Sequence, residues 1–157
     1  MGESPRDKIV FICSGNTCRS PMAQVFLESR ARDIPEIARY GVTSAGLWAH
    51  DGQKSSSEAR VIMRDRGYSL EGHRARVLTQ AVVDRAAAIV CMTRSHEKIL
   101  RKNFTNLPNI CISFAEFGGD IADPCAGDLE VYGKIADEIE QKLSSIVEFL
   151  RKELNDH

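Results

Sequence analysis

The fold is decided by one continuous stretch near the N-terminus, Ile9-Val10-Phe11-Ile12-Cys13-Ser14-Gly15-Asn16-Thr17-Cys18-Arg19-Ser20-Pro21. Its first five residues form an unbroken apolar run that ends at a glycine-containing turn, which predicts a central, buried strand. Ser20 and Pro21 predict the N-cap and the first position of a helix, where the N–H that proline lacks has no partner to lose. The stretch therefore predicts a strand, a loop and a helix in that order.

The rest of the chain alternates short apolar runs with longer amphipathic ones. This alternation is typical of βαβ units, so we expect a three-layer α/β fold with helices on both faces of a parallel sheet. From Asp128 onward, apolar residues recur at steps of three and four and predict a long helix with one face in the core. Further strands are expected over 39–43, 87–92 and 109–113, and further helices over 55–66 and 95–102.

Length, charge and cysteine usage set the class of protein. We expect a single domain over 1–157, with its core over about 8–154, because 157 residues is close to the usual size of one domain. A net charge of -1 gives no overall field that favours nucleic acid or an anionic membrane as a partner. Residues 1–8 are polar, and no apolar segment is long enough for a signal peptide or a membrane span.

The cysteines favour a reducing compartment. They number five, an odd count, and Cys91 and Cys111 lie in apolar runs that indicate core positions. A disulfide scaffold is therefore not expected. We predict a cytoplasmic protein that acts as a monomer.

The loop after the first strand predicts an anion site. The backbone N–H groups of residues 14–18 are expected to point at one spot, with Gly15 free to take the left-handed conformation, and such a nest at a helix N-terminus binds phosphate. The planar guanidinium of Arg19 would clamp two phosphate oxygens. The same dipoles and charge are expected to lower the pKa of Cys13 and make its thiolate a nucleophile. The loop lacks the lysine of nucleotide-binding loops, and neither a metal nor a cofactor is implied.

Turnover through a phosphocysteine needs a proton for the leaving group and later a base for water. Asp123, in Ile121-Ala122-Asp123-Pro124, is the candidate for both roles, because nearby glycines (Gly118, Gly119 and Gly127) predict a mobile loop around it. An Asp-Pro pair taken alone is usually an ordinary turn. The cysteine loop is what favours the catalytic interpretation.

These residues resemble the low-molecular-weight protein tyrosine phosphatase family across nearly the whole chain. The matching motifs are Cys13-Ser14-Gly15-Asn16-Thr17-Cys18-Arg19-Ser20-Pro21, Thr43-Ser44-Ala45-Gly46, His73-Arg74-Ala75-Arg76 and Asp123-Pro124. The resemblance implies four parallel strands in the order 2-1-3-4. It also implies that Cys13 is the nucleophile, Arg19 the phosphate clamp, and Asp123 the acid and then the base.

The resemblance further implies roles for the surrounding residues. Asn16, Ser20, Ser44 and His73 are implied to form a hydrogen-bonded shell around the loop, in which the Ser20 hydroxyl assists the thiolate. Cys18 is implied to form a reversible disulfide with Cys13, which would make the enzyme redox-sensitive. Ser14, Gly15, Asn16, Thr17, Cys18 and Ser20 are expected to bind the phosphate or the substrate.

Three positions bear on the substrate. Thr17 resembles the bacterial protein-arginine phosphatase branch, since tyrosine-directed members usually carry a bulkier aliphatic residue there. The residue after Asp-Pro is aromatic in most members but is Cys125 here, so a stacking wall is missing. Trp48 is a candidate to line the pocket instead, and is equally interpretable as a loop anchor. We expect a cysteine-dependent protein phosphatase that hydrolyses phosphoarginine or phosphotyrosine in proteins.

Three alternatives stay open. A tyrosine-directed phosphatase of the same family differs only in its substrate. An arsenate reductase would need two further cysteines on a flexible segment, whereas Cys91 and Cys111 lie in predicted strands. A phosphocysteine carrier would have no need of Asp123.

Overall fold

A parallel sheet of four strands lies at the centre of residues 5–155, the part of the chain that the computed structural model describes. Residues 1–4, half of the polar N-terminal segment, and residues 156–157 lie outside the described residues. The strands are β1 (Lys8–Cys13), β2 (Gly41–Gly46), β3 (Ala86–Cys91) and β4 (Ile110–Ser113). The helices are α1 (Arg19–Ala31), α2 (Pro35–Ala38), α3 (Ser57–Asp65), α4 (Gln80–Arg85), α5 (Arg94–Asn103) and α6 (Leu129–Asn155), with a 3-10 turn over Phe114–Phe117.

The strand order is β2-β1-β3-β4, and all three pairings are parallel. This confirms the predicted sheet. Cys13 pairs with Gly46 at the end of β2, and Ile12 pairs with Cys91 at the end of β3. Because β2 and β3 lie on opposite sides of β1, the strand order reverses there, and the loop after β1 lies at the switch point where ligands bind in such sheets.

The core has one part on each face of the sheet. Successive residues of β1 point to opposite faces: Phe11 packs with Phe26 and Leu143, whereas Ile12 packs on the other side with Leu100. Two-sided burial explains why the first strand is an unbroken apolar run. The predicted stripe of the C-terminal helix is buried throughout, at Tyr132, Ile135, Ile139, Leu143, Ile146 and Leu150.

The most informative differences from the sequence prediction concern one helix cap, the start of one strand and two short helices. Helix α1 begins at Arg19, with Cys18 at the N-cap, so Ser20 is not the cap that we predicted. Strand β2 begins at Gly41 rather than at 39, because its pairing with β1 starts there and continues to Gly46. The short helices α2 and α4 have four and six residues, too few for an apolar period to reveal them. None of the helices within residues 5–155 combines the length and apolar character needed to cross a bilayer.

Candidate active site

The loop between β1 and α1 forms the floor of a cavity of about 250 Å3. Asp123 and Cys125 reach the same cavity from the long segment between β4 and α6. The structure therefore brings the predicted phosphate loop and the predicted acid together. The lining residues are Cys13, Ser14, Gly15, Asn16, Thr17, Cys18, Arg19, Asp123 and Cys125.

Asn16 is the residue of this loop that adopts the left-handed conformation, with a φ of 58°. Gly15, which we expected to be free to take this conformation, does not adopt it. Asparagine tolerates this region better than most residues, and here its fully buried side chain holds the turn. Its Nδ2 donates to Ser20 and Ser44 Oγ atoms, both at 2.9 Å, and its Oδ1 accepts from the Arg76 N–H at 3.0 Å.

A second group of contacts fixes the backbone of the same turn. The Nε2 of His73 lies 2.7 Å from the Asn16 carbonyl oxygen, and since a carbonyl only accepts, Nε2 carries the proton. Burial lowers the pKa of His73, which favours the neutral imidazole. Ser44 donates its own proton to Gln24 Oε1 at 2.7 Å, a partner that sequence reasoning missed. Asn16, Ser20, Ser44 and His73 are thus in contact as one network.

Cys13 lies beneath the loop and is only 2% exposed. Its Sγ is 2.8 Å from Ser20 Oγ and accepts the Asn16 N–H at 3.3 Å. Because Ser20 Oγ already accepts from Asn16, its own proton is available to the sulfur.

The pKa of the Cys13 thiol is raised, because burial outweighs the opposing influences of Ser20, Arg19 and Asn16. This corrects our expectation of a lowered pKa, which counted the loop dipoles and the guanidinium but not the loss of water around the sulfur.

Arg19 is buried and links the loop to the segment that carries Asp123. Its Nη1 donates to the Ile121 carbonyl at 2.9 Å, and its Nη2 lies 3.5 Å from Ser14 Oγ. The same Nη2 is 3.8 Å from Asp123 Oδ2, whose side chain is 55% exposed. The other Asp123 oxygen accepts the Cys125 N–H at 2.9 Å. A buried cation and an accessible carboxylate therefore border one cavity.

His96, in the first turn of α5, is a site residue that sequence reasoning missed. Its Nε2 lies 2.9 Å from Ser14 Oγ, and its Nδ1 lies 2.9 Å from Thr93 Oγ1. Burial, and then the charge of Arg19, lower the pKa of His96 to about 4, so the ring is neutral near pH 7. A sequence signal did exist: Thr93, the N-cap of α5, stands between the strand predicted over 87–92 and the helix predicted over 95–102, and β3 ends beside β1.

The remaining predicted residues differ in how close they come to the cavity. Thr17 and Cys18 line it, with Thr17 Oγ1 at 3.6 Å from Cys18 Sγ. Cys18 Sγ also lies 3.4 Å from both Ser56 Oγ and the Tyr132 hydroxyl. Trp48 is not among the lining residues: its N–H donates to the Ser14 carbonyl at 2.9 Å, and its side chain is 59% exposed.

Gly46, at the end of β2, packs directly against the loop. A Cβ at this position would lie 2.6 Å from the Ser14 carbonyl oxygen and 2.9 Å from the Asn16 nitrogen. Both are backbone atoms, so no change of side-chain rotamer can relieve the contact. The close approach of the end of β2 to the loop therefore requires glycine here.

Comparison of sequences finds relatives of two named activities. The family model described as "Low molecular weight phosphotyrosine protein phosphatase" matches residues 8–156. The chain is 33% identical over 150 residues to a protein-arginine-phosphatase of Geobacillus stearothermophilus, covering 93% of this chain and 97% of that protein. It is 35% identical over 129 residues to the low molecular weight protein-tyrosine-phosphatase PtpB of Staphylococcus epidermidis, covering 80% and 86%.

Solved structures give the same two groups. The YwlE arginine phosphatase from Geobacillus stearothermophilus matches with a TM-score of 0.83 and 32% identity, over 96% of each chain. A YwlE mutant with a phosphorylated active-site serine matches with a TM-score of 0.84 and 29% identity, over 92% of this chain and 96% of that one. A low molecular weight protein tyrosine phosphatase from T. tengcongensis matches with a TM-score of 0.82 and 30% identity, over 90% and 97%.

Proposed function

The chain belongs to the low molecular weight phosphotyrosine protein phosphatase family, and from this we propose that it hydrolyses phosphoarginine in proteins through a phosphocysteine intermediate. The observation that carries the proposal is that Cys13, Arg19 and Asp123 border one cavity of about 250 Å3. A nucleophile, an anion clamp and a proton donor are the groups that this two-step reaction needs.

In the first step, the loop N–H groups and the Arg19 guanidinium hold the phosphoryl oxygens. Because burial raises the pKa of the Cys13 thiol, its proton passes to an oxygen of the incoming phosphoryl dianion. The thiolate then attacks phosphorus, the S–P bond forms and the P–N bond breaks. Asp123 gives its proton to the departing guanidine nitrogen.

In the second step, the Asp123 carboxylate takes a proton from a water molecule that attacks the phosphocysteine. The S–P bond breaks, the Cys13 thiolate takes back the proton that it gave to the phosphoryl oxygen, and inorganic phosphate leaves. The Ser20 hydroxyl, 2.8 Å from the sulfur, stabilises this leaving thiolate. Arg19 compensates the charge on phosphorus in both steps.

The lining of the cavity favours phosphoarginine over phosphotyrosine. No described residue with an aromatic ring lines it, so the ring of a phosphotyrosine would lack a stacking partner. A phosphoguanidinium instead brings N–H groups, which Thr17 Oγ1 and the Asp123 carboxyl group accept. The exposed Trp48 ring, next to Ser14 in the fold, contacts residues that flank the phosphorylated side chain. Phosphotyrosine is the second candidate, favoured by the similarity to PtpB.

The test is a comparison of one peptide carrying either phosphoarginine or phosphotyrosine, with phosphoserine as a third arm. We expect kcat/KM for phosphoarginine to exceed that for phosphotyrosine by about tenfold or more. A reversed ratio would assign the chain to tyrosine substrates. The Cys13→Ser variant is the matched control, and release of phosphate by that variant would contradict the cysteine mechanism altogether.

We also propose a cytoplasmic, monomeric and redox-sensitive enzyme. All five cysteines are free thiols, which suits a reducing compartment. Among residues 5–155, the exposed large hydrophobic side chains are only Trp48, Leu129 and Val131, too few for a broad subunit interface. A peroxide would oxidise Cys13 to a sulfenic acid after loss of the thiol proton, with water as the by-product, and the Cys18 thiol would then form the disulfide with loss of a second water.

A further inference from the structure

We propose that His96 is a positioning residue for phosphoryl transfer, which acts through the Ser14 hydroxyl to orient that hydroxyl and the Arg19 guanidinium toward the phosphate. The inference rests on the proposed phosphatase chemistry but not on the choice of substrate. It places part of the phosphate-binding machinery outside the loop, on the first turn of α5.

The geometry is a chain of contacts from α5 to the clamp. Thr93 Oγ1 and His96 Nδ1 are 2.9 Å apart, His96 Nε2 and Ser14 Oγ are 2.9 Å apart, and Arg19 Nη2 lies 3.5 Å beyond Ser14 Oγ. The His96 side chain is buried, with 4% of the residue exposed. A buried imidazole in contact at both nitrogens has one orientation available to it.

The available protons and lone pairs determine which atom donates in each hydrogen bond between Thr93, His96, Ser14 and Arg19. Ser14 Oγ has one proton and two lone pairs, and one lone pair accepts from Arg19. When His96 carries its proton on Nε2, the second lone pair is also used, and the Ser14 proton is left for a phosphate oxygen. Thr93, whose oxygen already accepts the His96 backbone N–H at 3.0 Å, then donates its proton to Nδ1. A bound phosphate favours this tautomer because every proton has a partner.

The surroundings keep the ring neutral, which this role requires. An imidazolium would place a second cation beside Arg19 in a buried site, and burial together with that charge disfavours it. Asp120 and Asp123 act in the opposite direction and do not outweigh them. A neutral ring orients the Ser14 hydroxyl and the Arg19 guanidinium without adding a second positive charge.

The turn that carries His96 is itself anchored to the segment of the proposed acid. The Arg94 N–H donates to Asp120 Oδ1 at 2.9 Å, and the Ile121 N–H donates to the Met92 carbonyl at 3.0 Å. The Ile121 carbonyl is also the acceptor for Arg19 Nη1. Both ends of the guanidinium therefore depend on the first turn of α5, one through His96 and one through residues 120–121.

The test uses His96→Phe, which keeps a flat ring of similar size, with His96→Gln as the conservative variant that retains a donor. Activity is measured on para-nitrophenyl phosphate and binding is measured as inhibition by inorganic phosphate. We expect His96→Phe to lower kcat/KM by about tenfold or more and to weaken phosphate inhibition, the loss expected for one hydrogen bond to a charged group. His96→Gln should recover a large part of both.

A double-mutant cycle with Ser14→Ala separates positioning from general damage. If His96 acts through Ser14, adding His96→Phe to Ser14→Ala produces little further loss. Losses that multiply, or phosphate inhibition that is unchanged in His96→Phe, would overturn the inference. Neither result touches the proposed function, which fails instead if the wild-type protein releases no phosphate from any of its substrates.

A second pair of variants keeps the test valid if His96→Phe does not fold. Thr93→Val leaves the imidazole in place and removes its Nδ1 partner, and Thr93→Ser is the matched control that keeps the hydroxyl and the helix cap. We expect Thr93→Val to weaken phosphate inhibition and Thr93→Ser to leave it unchanged. Equal inhibition constants in the two folded variants would overturn the inference.

Discussion

The Arg19 guanidinium and the Asp123 carboxylate lie 3.8 Å apart at the border of the cavity that contains the Cys13 thiol. Arg19 is buried and held by the Ile121 carbonyl, whereas the Asp123 side chain is 55% exposed. The cation is therefore the fixed partner of the pair, and the carboxylate is the one that solvent and a bound substrate can reach.

Replacing Asp123 by Asn should separate the two chemical steps. On phosphoarginine peptides, we expect kcat to fall by about a hundredfold or more, because the leaving nitrogen needs a proton. On para-nitrophenyl phosphate, whose leaving group needs none, the first step persists and the second lacks its base. A burst of nitrophenolate and a phosphocysteine detectable by mass spectrometry should follow. Steady release without a burst would assign the base to another residue.

Replacing Ser20 by Ala should raise the pKa of the Cys13 thiol still further. The hydrogen bond from Ser20 is the largest of the influences that lower this pKa, whereas burial raises it. Without that bond, the pKa therefore rises further. Alkylation of Cys13 by iodoacetamide should therefore require higher pH than in the wild-type protein, with a rate about tenfold lower at pH 7. Ser55→Ala is the matched control, since Ser55 Oγ is buried without a hydrogen-bond partner in the described structure. Coincident profiles for wild type and Ser20→Ala would contradict the assignment.

Introducing an aromatic ring at position 125 should favour aryl phosphates. Cys125 lines the cavity beside Asp123, and a phenylalanine there would offer a face on which a phosphotyrosine ring stacks. We expect Cys125→Phe to raise the ratio of kcat/KM for phosphotyrosine to kcat/KM for phosphoarginine by about tenfold. This factor corresponds to the interaction free energy of one aromatic pair. Cys125→Ser, which adds no ring, should leave the ratio unchanged. An unchanged ratio in both would show that this position does not select the substrate.

Because His96 is buried and neutral, the folded protein should become less stable as the pH is lowered through a defined window. Its pKa is about 4 in the folded protein and about 6.5 in the unfolded chain. Between these two pH values the unfolded chain binds a proton at His96 that the folded protein does not bind. The contribution of His96 to the free energy of unfolding is therefore full above pH 6.5 and is lost as pH falls toward 4. The loss amounts to up to about 3 kcal/mol.

Urea unfolding of the wild type and of His96→Gln at pH 7 and pH 4.5 measures this contribution. We expect the variant to lose less stability over the interval, since glutamine does not titrate. His73 contributes in the same direction because burial lowers its pKa too, but it is present in both proteins and cancels in the difference. Parallel curves for the two proteins would rule out a buried neutral His96.

Replacing Gly46 by Ala should displace the phosphate loop. The new methyl group would meet the Ser14 carbonyl oxygen at 2.6 Å, so either the end of β2 or the loop must shift. We expect kcat/KM to fall by about tenfold to a hundredfold, since displacements below 1 Å already misalign reacting groups. Gly72→Ala is the matched control, because a Cβ there has no heavy atom within 4 Å. Full activity of Gly46→Ala would mean that the loop tolerates the shift.

Local pattern was enough to predict the sheet, the loop and its main residues. Residues 9–21 contain the strand, the turn and the helix in contiguous sequence, and Asp123 stands out once a second catalytic group is required. His96 was missed because its contact with Ser14 spans 82 positions and depends on β3 lying next to β1. The direction of the Cys13 pKa shift was predicted wrongly because that shift is a balance between burial and local hydrogen bonds. The loop sequence reveals the hydrogen-bonding groups but not the degree of burial.

The buried, left-handed Asn16 has a consequence for the speed of phosphate capture. Its backbone and side chain are fixed by Ser20, Ser44, His73 and Arg76 before any ligand arrives. The conformational cost of the turn is met once, during folding, rather than at each encounter with a substrate. The cradle is therefore preorganised, and we expect association to be limited by diffusion and desolvation of the phosphate instead of by rearrangement of the loop.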